Sequence, residues 1–181
     1  VKAGGLNLTE VITLSIDYVM NGIPVARILL SDGNVSNQEF ALSEKASLEP
    51  GKEIEISLGY HNLETTVFKG IIVRQNIKVS KTGGSSLELI CKDKVYRMSM
   101  GVRSRYFKDV KDSDVFDELC GDYDGVSASV KLGMGAFTSP KYKELIQHDI
   151  SDWDFLVSRV EQSGMFLSVS DGEIKIQAAL V

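Results

Sequence analysis

The sequence has few cysteines and no long hydrophobic run. It contains two cysteines and three prolines in 181 residues. Cys91 and Cys120 are far apart, and each lies among apolar neighbours, where a reduced cysteine behaves as a small core residue. We therefore expect reduced thiols and a reducing compartment. No apolar stretch approaches the roughly 20 residues that cross a bilayer.

Positive charge is also limited. The net charge of −5 argues against nucleic-acid binding through a broad basic surface. The segment 92–111 is a local exception, with seven basic and two acidic residues. It could be a groove for an acidic partner or a solvated strand face and loop, and both interpretations stay open. The first ten residues, VKAGGLNLTE, show no basic segment followed by an apolar one, so we expect no signal peptide.

Apolar and polar residues alternate through much of the first ninety residues, which is typical of half-buried β-strands. Two sets are predicted to face the core: Ile12, Leu14, Ile16 and Tyr18, and then Ile54, Ile56 and Leu58. Asn21–Gly22 and Pro50–Gly51 are turn signals. Gly70 predicts a bulge or a barrel bend in a longer strand, and another strand is expected over 87–98. Short strands at this spacing predict a small barrel or sandwich.

The pattern changes in the second half of the chain. The segment KDSDVFDELCG (111–121) predicts a short helix over about 113–120, with Asp112 or Ser113 as the N-cap and Gly121 as the stop. One short strand is expected around 126–130. A second helix over about 152–163 is followed by a predicted β-hairpin at 165–176 on an Asp-Gly turn.

The segment before the second helix gathers one histidine and three aspartates, His148, Asp149, Asp152 and Asp154, around Trp153. Ser151 predicts a helix N-cap, and Asp154 completes a capping box. Asp152 and Asp154 face the positive end of the helix dipole, and they diverge too far to share a metal. We therefore interpret the cluster as a helix start and not as a catalytic site.

The second helix has one apolar face. Trp153, Leu156, Val157 and Val160 recur at helical spacing. Arg159 and Glu161 are expected to point elsewhere, and Gly164 is expected to end the helix.

Other motifs predict turns. GDYDG (121–125) lacks the spacing of a calcium loop, GMGAFT (133–138) does not complete a phosphate-binding loop, and His61 lies in a polar connection. No serine lies in G-x-S-x-G, and two separate histidines suggest no triad. We therefore predict no enzyme activity, no cofactor and no metal.

Five segments together resemble a known family: NGIPVARILLSDG (21–33), LEPGKEIEISLGY (48–60), VFKGIIV (67–73), CKDKVYRMSMGVRSRYF (91–107) and SDWDFLVSRVEQSGMF (151–166). In wording, order and spacing they resemble the N-terminal, baseplate-hub-like region of the Vgr (VgrG) spike proteins of type VI secretion systems. Related hubs occur in contractile phage tails. The resemblance extends from about residue 10 to 176.

The resemblance implies a mainly β fold with a few helices. It implies a first β-barrel hub domain over 1–107 and the beginning of a second hub domain over 108–181, which is truncated before the needle. In this family, three chains form a ring that adapts a hexameric tube to a trimeric puncturing needle. The implied partners are the chain itself as a homotrimer, the tube protein and other baseplate components. The membrane is implied only as the target of puncture, and assembly is expected in the bacterial cytoplasm before export with the machine.

The resemblance also gives roles to individual residues. From the resemblance we expect a subunit or tube contact at Arg97, Arg103, Arg105 and Lys108. The capping pattern and the apolar face of the second helix give the structural roles predicted for Ser151, Trp153, Asp154, Leu156 and Gly164. Reversing Arg103 and Arg105 is expected to weaken assembly without unfolding the domain. Three alternatives remain: a hub of a phage or phage-like tail, an all-β module that binds an acidic polymer, and a metal-dependent hydrolase in which His148 and Asp149 meet His61 or another ligand.

Overall fold

The computed structural model describes residues 2–3, 6–8, 10–32, 42, 46–60, 63–79, 84–131 and 140–178. The chain divides into two units, each with its own hydrophobic core. The first unit contains Val1–Asp17 and Pro24–Asp93, and the second contains Tyr18–Ile23 and Lys94–Val181. None of the helices in the described ranges is long and apolar enough to cross a membrane.

The first unit is built on antiparallel strands. Two short strands pair with each other, β1 (Lys2–Ala3) and β2 (Leu6–Asn7). Five longer strands form one sheet: β3 (Val11–Asp17), β4 (Val25–Ser31), β5 (Glu53–Tyr60), β6 (Leu63–Val79) and β7 (Ser85–Lys92). Their order is β3–β4–β7–β6–β5, and the sheet curls into a half-barrel. A short 3-10 helix, Ala46–Leu48, precedes β5.

Alternate residues of the central strands fill the core of the half-barrel. Ile28 pairs with Leu89 and Leu30 pairs with Leu87, and all four side chains are fully buried. Side chains two apart in a strand point to the same face, so this row forms directly from the sequence alternation. The prediction of a mainly β fold with a few helices is confirmed.

The sequence predicts seven inward-facing residues in β3 and β5, and the structure places four of them against the core: Leu14, Ile16, Ile54 and Ile56. The other three are exposed: Ile12 at 58%, Tyr18 at 53% and Leu58 at 43%. The strand register shifts beside Ile12 and again after Ile56, and a shift of one residue changes the face on which side chains lie. Tyr18 lies beyond the end of β3.

Of the two alternatives predicted at Gly70, a bulge or a barrel bend, the bulge is not found at this residue. The register of β6 shifts on both sides of this residue, at Val67 against β5 and at Val73 against β7, while Gly70 itself pairs regularly with Ile54. A Cβ atom at Gly70 would lie 2.2 Å from the carbonyl oxygen of Lys92. Glycine is required there because of this close backbone approach.

In the structure, residues 94–107 group with the second unit, whereas the sequence prediction places the domain boundary between residues 107 and 108. The strand expected over 87–98 ends at Lys92 and is followed by a 3-10 helix, Lys94–Ser99. Residues three apart share one side of such a helix. Val95 and Met98 therefore point the same way, and both are fully buried in the second core.

The second unit combines helices with two small sheets. Its elements are β8 (Arg103–Val110), α1 (Asp112–Gly121), β9 (Ser127–Lys131), β10 (Tyr142–Ile150), α2 (Asp152–Gln162), β11 (Met165–Ser170) and β12 (Glu173–Ala178). Strands β8 and β10 form an antiparallel two-stranded ribbon, which we call the ribbon. Strand β12 pairs antiparallel with β11 and parallel with β9. The hairpin turn has positive φ at both Asp171 and Gly172, as a type I′ turn requires.

The Asn21–Gly22 turn, which joins β3 to β4, contacts β11. The Asn21 backbone N–H donates to the Leu167 carbonyl at 2.9 Å, and the Leu167 N–H donates to Asn21 Oδ1 at 2.9 Å. Asn21 Nδ2 also donates to Glu161 at 3.0 Å. One asparagine thus satisfies both backbone groups of a residue in β11.

Candidate functional site

Helix α2 begins at the cluster around Trp153. Ser151 is the N-cap, and its hydroxyl accepts the Asp154 backbone N–H at 3.1 Å. Trp153 and Leu156 are buried in the second core. Gly164 has φ +66 immediately after the helix, a conformation that glycine adopts at little cost. These placements give each residue a structural position.

The buried centre of the cluster is Asp152, whose side chain is 2% exposed. It accepts hydrogen bonds from Tyr123 Oη at 2.7 Å, Gln147 Nε2 at 2.7 Å and Arg105 Nη2 at 3.2 Å. Arg103 Nη1 lies 3.5 Å away. A buried carboxylate is tolerated only when it is paired and hydrogen-bonded, and Asp152 has both kinds of partner.

Arg103 and Arg105 also share a second carboxylate. Each places a guanidinium nitrogen 2.6 Å from Asp122 Oδ2. Asp122 is about half exposed, whereas Arg105 is only 17% exposed. We call these six residues the Asp152 network: Arg103, Arg105, Asp122, Tyr123, Gln147 and Asp152. It ties the start of α2 to both strands of the ribbon and to the segment that follows α1.

The four residues predicted as an interface do not form one surface. Arg105 faces the Asp152 network, whereas Lys108 is exposed on the opposite face of β8, as residues three apart in a strand must be. Arg97 lies half-buried in the 3-10 helix. Reversing Arg103 and Arg105 would place negative charge beside buried Asp152, so we now expect that change to destabilise the domain.

A second buried ion pair joins the two helices. Arg159 Nε and Nη2 each lie 2.8 Å from Asp112 Oδ1, and both side chains are almost fully buried. The Arg159 guanidinium also stacks over the Tyr142 ring, 4.5 Å from its centre. Burial lowers the pKa of Arg159, but the hydrogen bond and charge of Asp112 outweigh it, so the pKa lies above its ordinary value.

These contacts correct two expectations. Asp112 is not an N-cap: Lys111 is the N-cap of α1, and the Lys111 N–H donates to Asp114 at 2.9 Å. Arg159 does not point away from the core. The sequence contains a signal for this ion pair. Arg159 and Asp112 each lie next to the apolar face of their helix, and a charged residue that is buried with such a face requires a partner of opposite charge.

Among the described residues, three groups have a pKa well above its ordinary value. Burial raises the pKa of Cys91 to about 12. Burial, with smaller effects from Asp117 and Asp152, raises that of Cys120 to about 12. The pKa of Tyr123 also rises to about 12, first because of burial and then because its hydroxyl donates to Asp152. These groups stay protonated near neutral pH, and a protonated thiol is a poor nucleophile.

The remaining motifs do not converge. His148 and Asp149 are exposed on the ribbon, where the Asp149 N–H donates to Ser104 Oγ at 3.1 Å. GDYDG is the exit from α1, with Asp122 as its C-cap. His61 and GMGAFT (133–138) lie outside the described residues. Among the residues that are described, no group of three or more His, Cys, Asp or Glu side chains is placed to hold a metal.

Comparison with known proteins gives one family match and several similar folds. The model of the family described as Alg8 N-terminal domain matches residues 5–181. No curated protein sequence matches the chain.

Several solved structures share the fold at low sequence identity. The prophage MuSo2 43 kDa tail protein from Shewanella oneidensis has a TM-score of 0.67 at 14% identity, covering 96% of this chain and 51% of that one. The E. coli c3393 protein, described as a component of the type VI secretion system, has a TM-score of 0.63 at 10% identity, covering 92% and 47%. A chain of the Francisella PdpA–VgrG complex has a TM-score of 0.59 at 13% identity, covering 95% of this chain and 28% of that one. The chain thus spans about half the length of the first two structures.

Proposed function

Because the chain belongs to the Alg8 N-terminal domain family and has the fold of tail and VgrG hub proteins, we propose that it is part of the hub of a contractile injection machine. In this role it helps to connect a hexameric tube to a trimeric needle. The observation that carries the proposal is the similarity of fold along more than nine-tenths of the chain.

The proposed role is architectural, not catalytic. The charged side chains of the Asp152 network bind one another and hold a helix against the ribbon. The Asp152 network thereby fixes the positions of the helix and the ribbon before any partner binds. Such preorganisation favours assembly, because little conformational freedom is lost on binding. The proposed partners are two further copies of the chain, the tube protein and other baseplate components. We propose assembly in the bacterial cytoplasm and export with the machine.

A hub in a phage or phage-like tail is the second candidate. It is favoured by the tail proteins among the similar structures, including the prophage protein from Shewanella oneidensis. The gene neighbourhood separates the two candidates, because a tail operon encodes capsid and packaging proteins whereas a secretion system does not.

The alternative of a module for acidic polymers loses much of its support. Two of the basic residues on which it rests, Arg103 and Arg105, are paired with Asp122 and Asp152. Retention on an anionic matrix that falls steeply with salt, without self-association, would restore it.

The proposal is tested by the mass of the protein, as its gene encodes it, in solution. Light scattering should give the mass of three chains, because a hub that meets a trimeric needle must itself be threefold. A monomer at all concentrations up to about 100 µM, well above the Kd of a stable complex, would contradict the proposal.

A further inference from the structure

The ribbon has one buried and one exposed face. Phe107 and Gln147 point into the second unit and are almost fully buried, and Phe107 stacks on Phe155 of α2 at 6.1 Å. The opposite face is open to solvent. We call it the outer face, and it consists of Ser104, Tyr106, Lys108, Glu144, Ile146 and His148.

Large apolar side chains lie at the centre of the outer face. Tyr106 and Ile146 are register partners and are 56% and 62% exposed. The Tyr106 hydroxyl is hydrogen-bonded to Glu144, which fixes the ring across the ribbon. Adjacent exposed apolar groups with a polar rim are typical of protein contact sites.

The rim of the outer face carries charges of both signs. Lys108 and Glu144 are register partners at one end, and Ser104 faces the irregular segment with His148 at the other. The chain as a whole has a net charge of −5, which opposes contact between copies. The hydrogen bond to Glu144 and the charge of Asp109, which lies nearby, both raise the pKa of the Tyr106 hydroxyl, so the outer face keeps some negative charge. Lys108 of one copy opposite Glu144 of the other offsets part of the resulting repulsion.

Symmetry makes this face complementary to itself. If a twofold axis runs parallel to the strands between two ribbons, β8 of one copy lies over β10 of the other. Tyr106 then packs on Ile146 of the second copy, and Lys108 lies over Glu144 of the second copy. Each contact occurs twice.

We propose that the outer face of the ribbon packs face to face against the outer face of a second copy of this chain. Sheets pack in this way at a spacing of about 10 Å. The contact goes beyond the proposed function, since a threefold ring requires a head-to-tail contact between different surfaces, whereas this one joins identical surfaces.

The size of the face sets the expected strength. It offers six residues per copy, whereas stable interfaces use roughly 20–30 residues a side. The association should therefore be weak and reversible, with a Kd on the order of 10⁻⁴ M.

The first test is sedimentation of the 181-residue chain from about 10 µM to 1 mM, a range that brackets this Kd. The wild type should change reversibly from monomer to dimer. Ile146→Lys should stay monomeric, because two buried ammonium groups would face apolar side chains. Ile77→Lys, at an isoleucine that is 51% exposed in the first unit, is the matched control and should dimerise like the wild type.

The second test exchanges the rim charges. Lys108→Glu and Glu144→Lys alone should each weaken dimerisation about tenfold, since each places like charges across the contact. The double exchange should restore most of the affinity. Thermal melts check that every variant is folded.

Three results would overturn the inference: a wild-type chain that is monomeric at 1 mM, an Ile146→Lys variant that dimerises normally, or a double exchange that rescues nothing. A trimer that is indifferent to Ile146→Lys would also overturn it while leaving the proposed function intact. If the 181-residue chain forms the twofold dimer in sedimentation while the gene product is monomeric in light scattering, the inference is supported and the proposed hub function is contradicted.

Discussion

At the scale of single residues, buried charge is what distinguishes the second unit. Asp152 lies in the first turn of α2, where an exposed aspartate would gain only the modest stabilisation of the helix dipole. Here its carboxylate is buried and receives hydrogen bonds from Tyr123, Gln147 and Arg105. We therefore expect buried Asp152 to contribute much more to the free energy of unfolding than an exposed aspartate in the first turn of a helix would.

Asp152→Asn should reveal that difference. The amide keeps the shape of the side chain but removes the charge that holds Arg103 and Arg105. Breaking a buried pair in this way costs about 3 kcal/mol of unfolding free energy. Urea denaturation measures the loss. Asp124→Asn, at an exposed position a few residues after α1, is the control and should change stability by less than about 0.5 kcal/mol. A loss of similar size in both variants would show that the Asp152 network contributes little.

High pH should weaken the fold. The pKa values of Cys91, Cys120 and Tyr123 are about 12 in the folded protein, against ordinary values of 9.0 for the thiols and 10.0 for the phenol. Between these limits the folded chain binds more protons than the unfolded chain, so stability falls as pH rises. The stabilisation is complete below pH 9 and is lost as pH approaches 12.

Thermal melts between pH 7 and pH 11.5 measure this effect. A double Cys91→Ala, Cys120→Ala variant should show a shallower decline above pH 9 than the wild type, because it lacks two of the three groups whose pKa rises to about 12 on folding. Equal slopes in the two proteins would argue against thiol burial as the cause.

At the scale of secondary-structure elements, local signals were sufficient where an element is specified by its own residues. Helix α2 was predictable from its cap and apolar face, and the β11–β12 hairpin from its Asp171–Gly172 turn. Strand β10 was not predicted. Its apolar residues do not alternate regularly, and it is held by pairing with β8, more than thirty residues earlier in the sequence. Such contacts leave no local pattern.

Gly70→Ala tests whether the neighbouring strand β7 requires a glycine at this position of β6. The added methyl group would lie 2.2 Å from the Lys92 carbonyl oxygen, so β6 and β7 would have to separate locally. We expect a loss of about 3 kcal/mol or more of unfolding free energy in urea denaturation. Gly121→Ala, where an added Cβ meets nothing within 4 Å, should be close to neutral. Similar stability of the two variants would show that β6 can move away at no cost.

The candidate site shows the same limit. The sequence identified Arg103 and Arg105 as notable, but it suggested an external partner. The carboxylates that neutralise them are Asp122 and Asp152, which lie 17 and 47 residues from Arg105. Arg103 and Arg105 are two residues apart in β8 and therefore lie on the same face of the strand. This spacing was the one sign in the sequence that they share a buried partner.

At the scale of the whole molecule, order and spacing along the chain carried most of the information. Strand alternation predicted a small barrel or sandwich, and the first unit contains a curled half-barrel sheet. The five segments together predicted the hub-like fold, which the similar structures share at 10–14% identity. The boundary between the units was harder to place, because Val95 and Met98 follow β7 directly yet are buried in the second core.

The most direct test of the central claim is electron microscopy of the gene product mixed with a tube protein from the same organism, the partner that the proposed function requires. The account predicts a closed ring of three chains at one end of a hexameric tube, with threefold symmetry in the ring. A single chain bound to the side of the tube, or tubes that end without any bound ring, would contradict it.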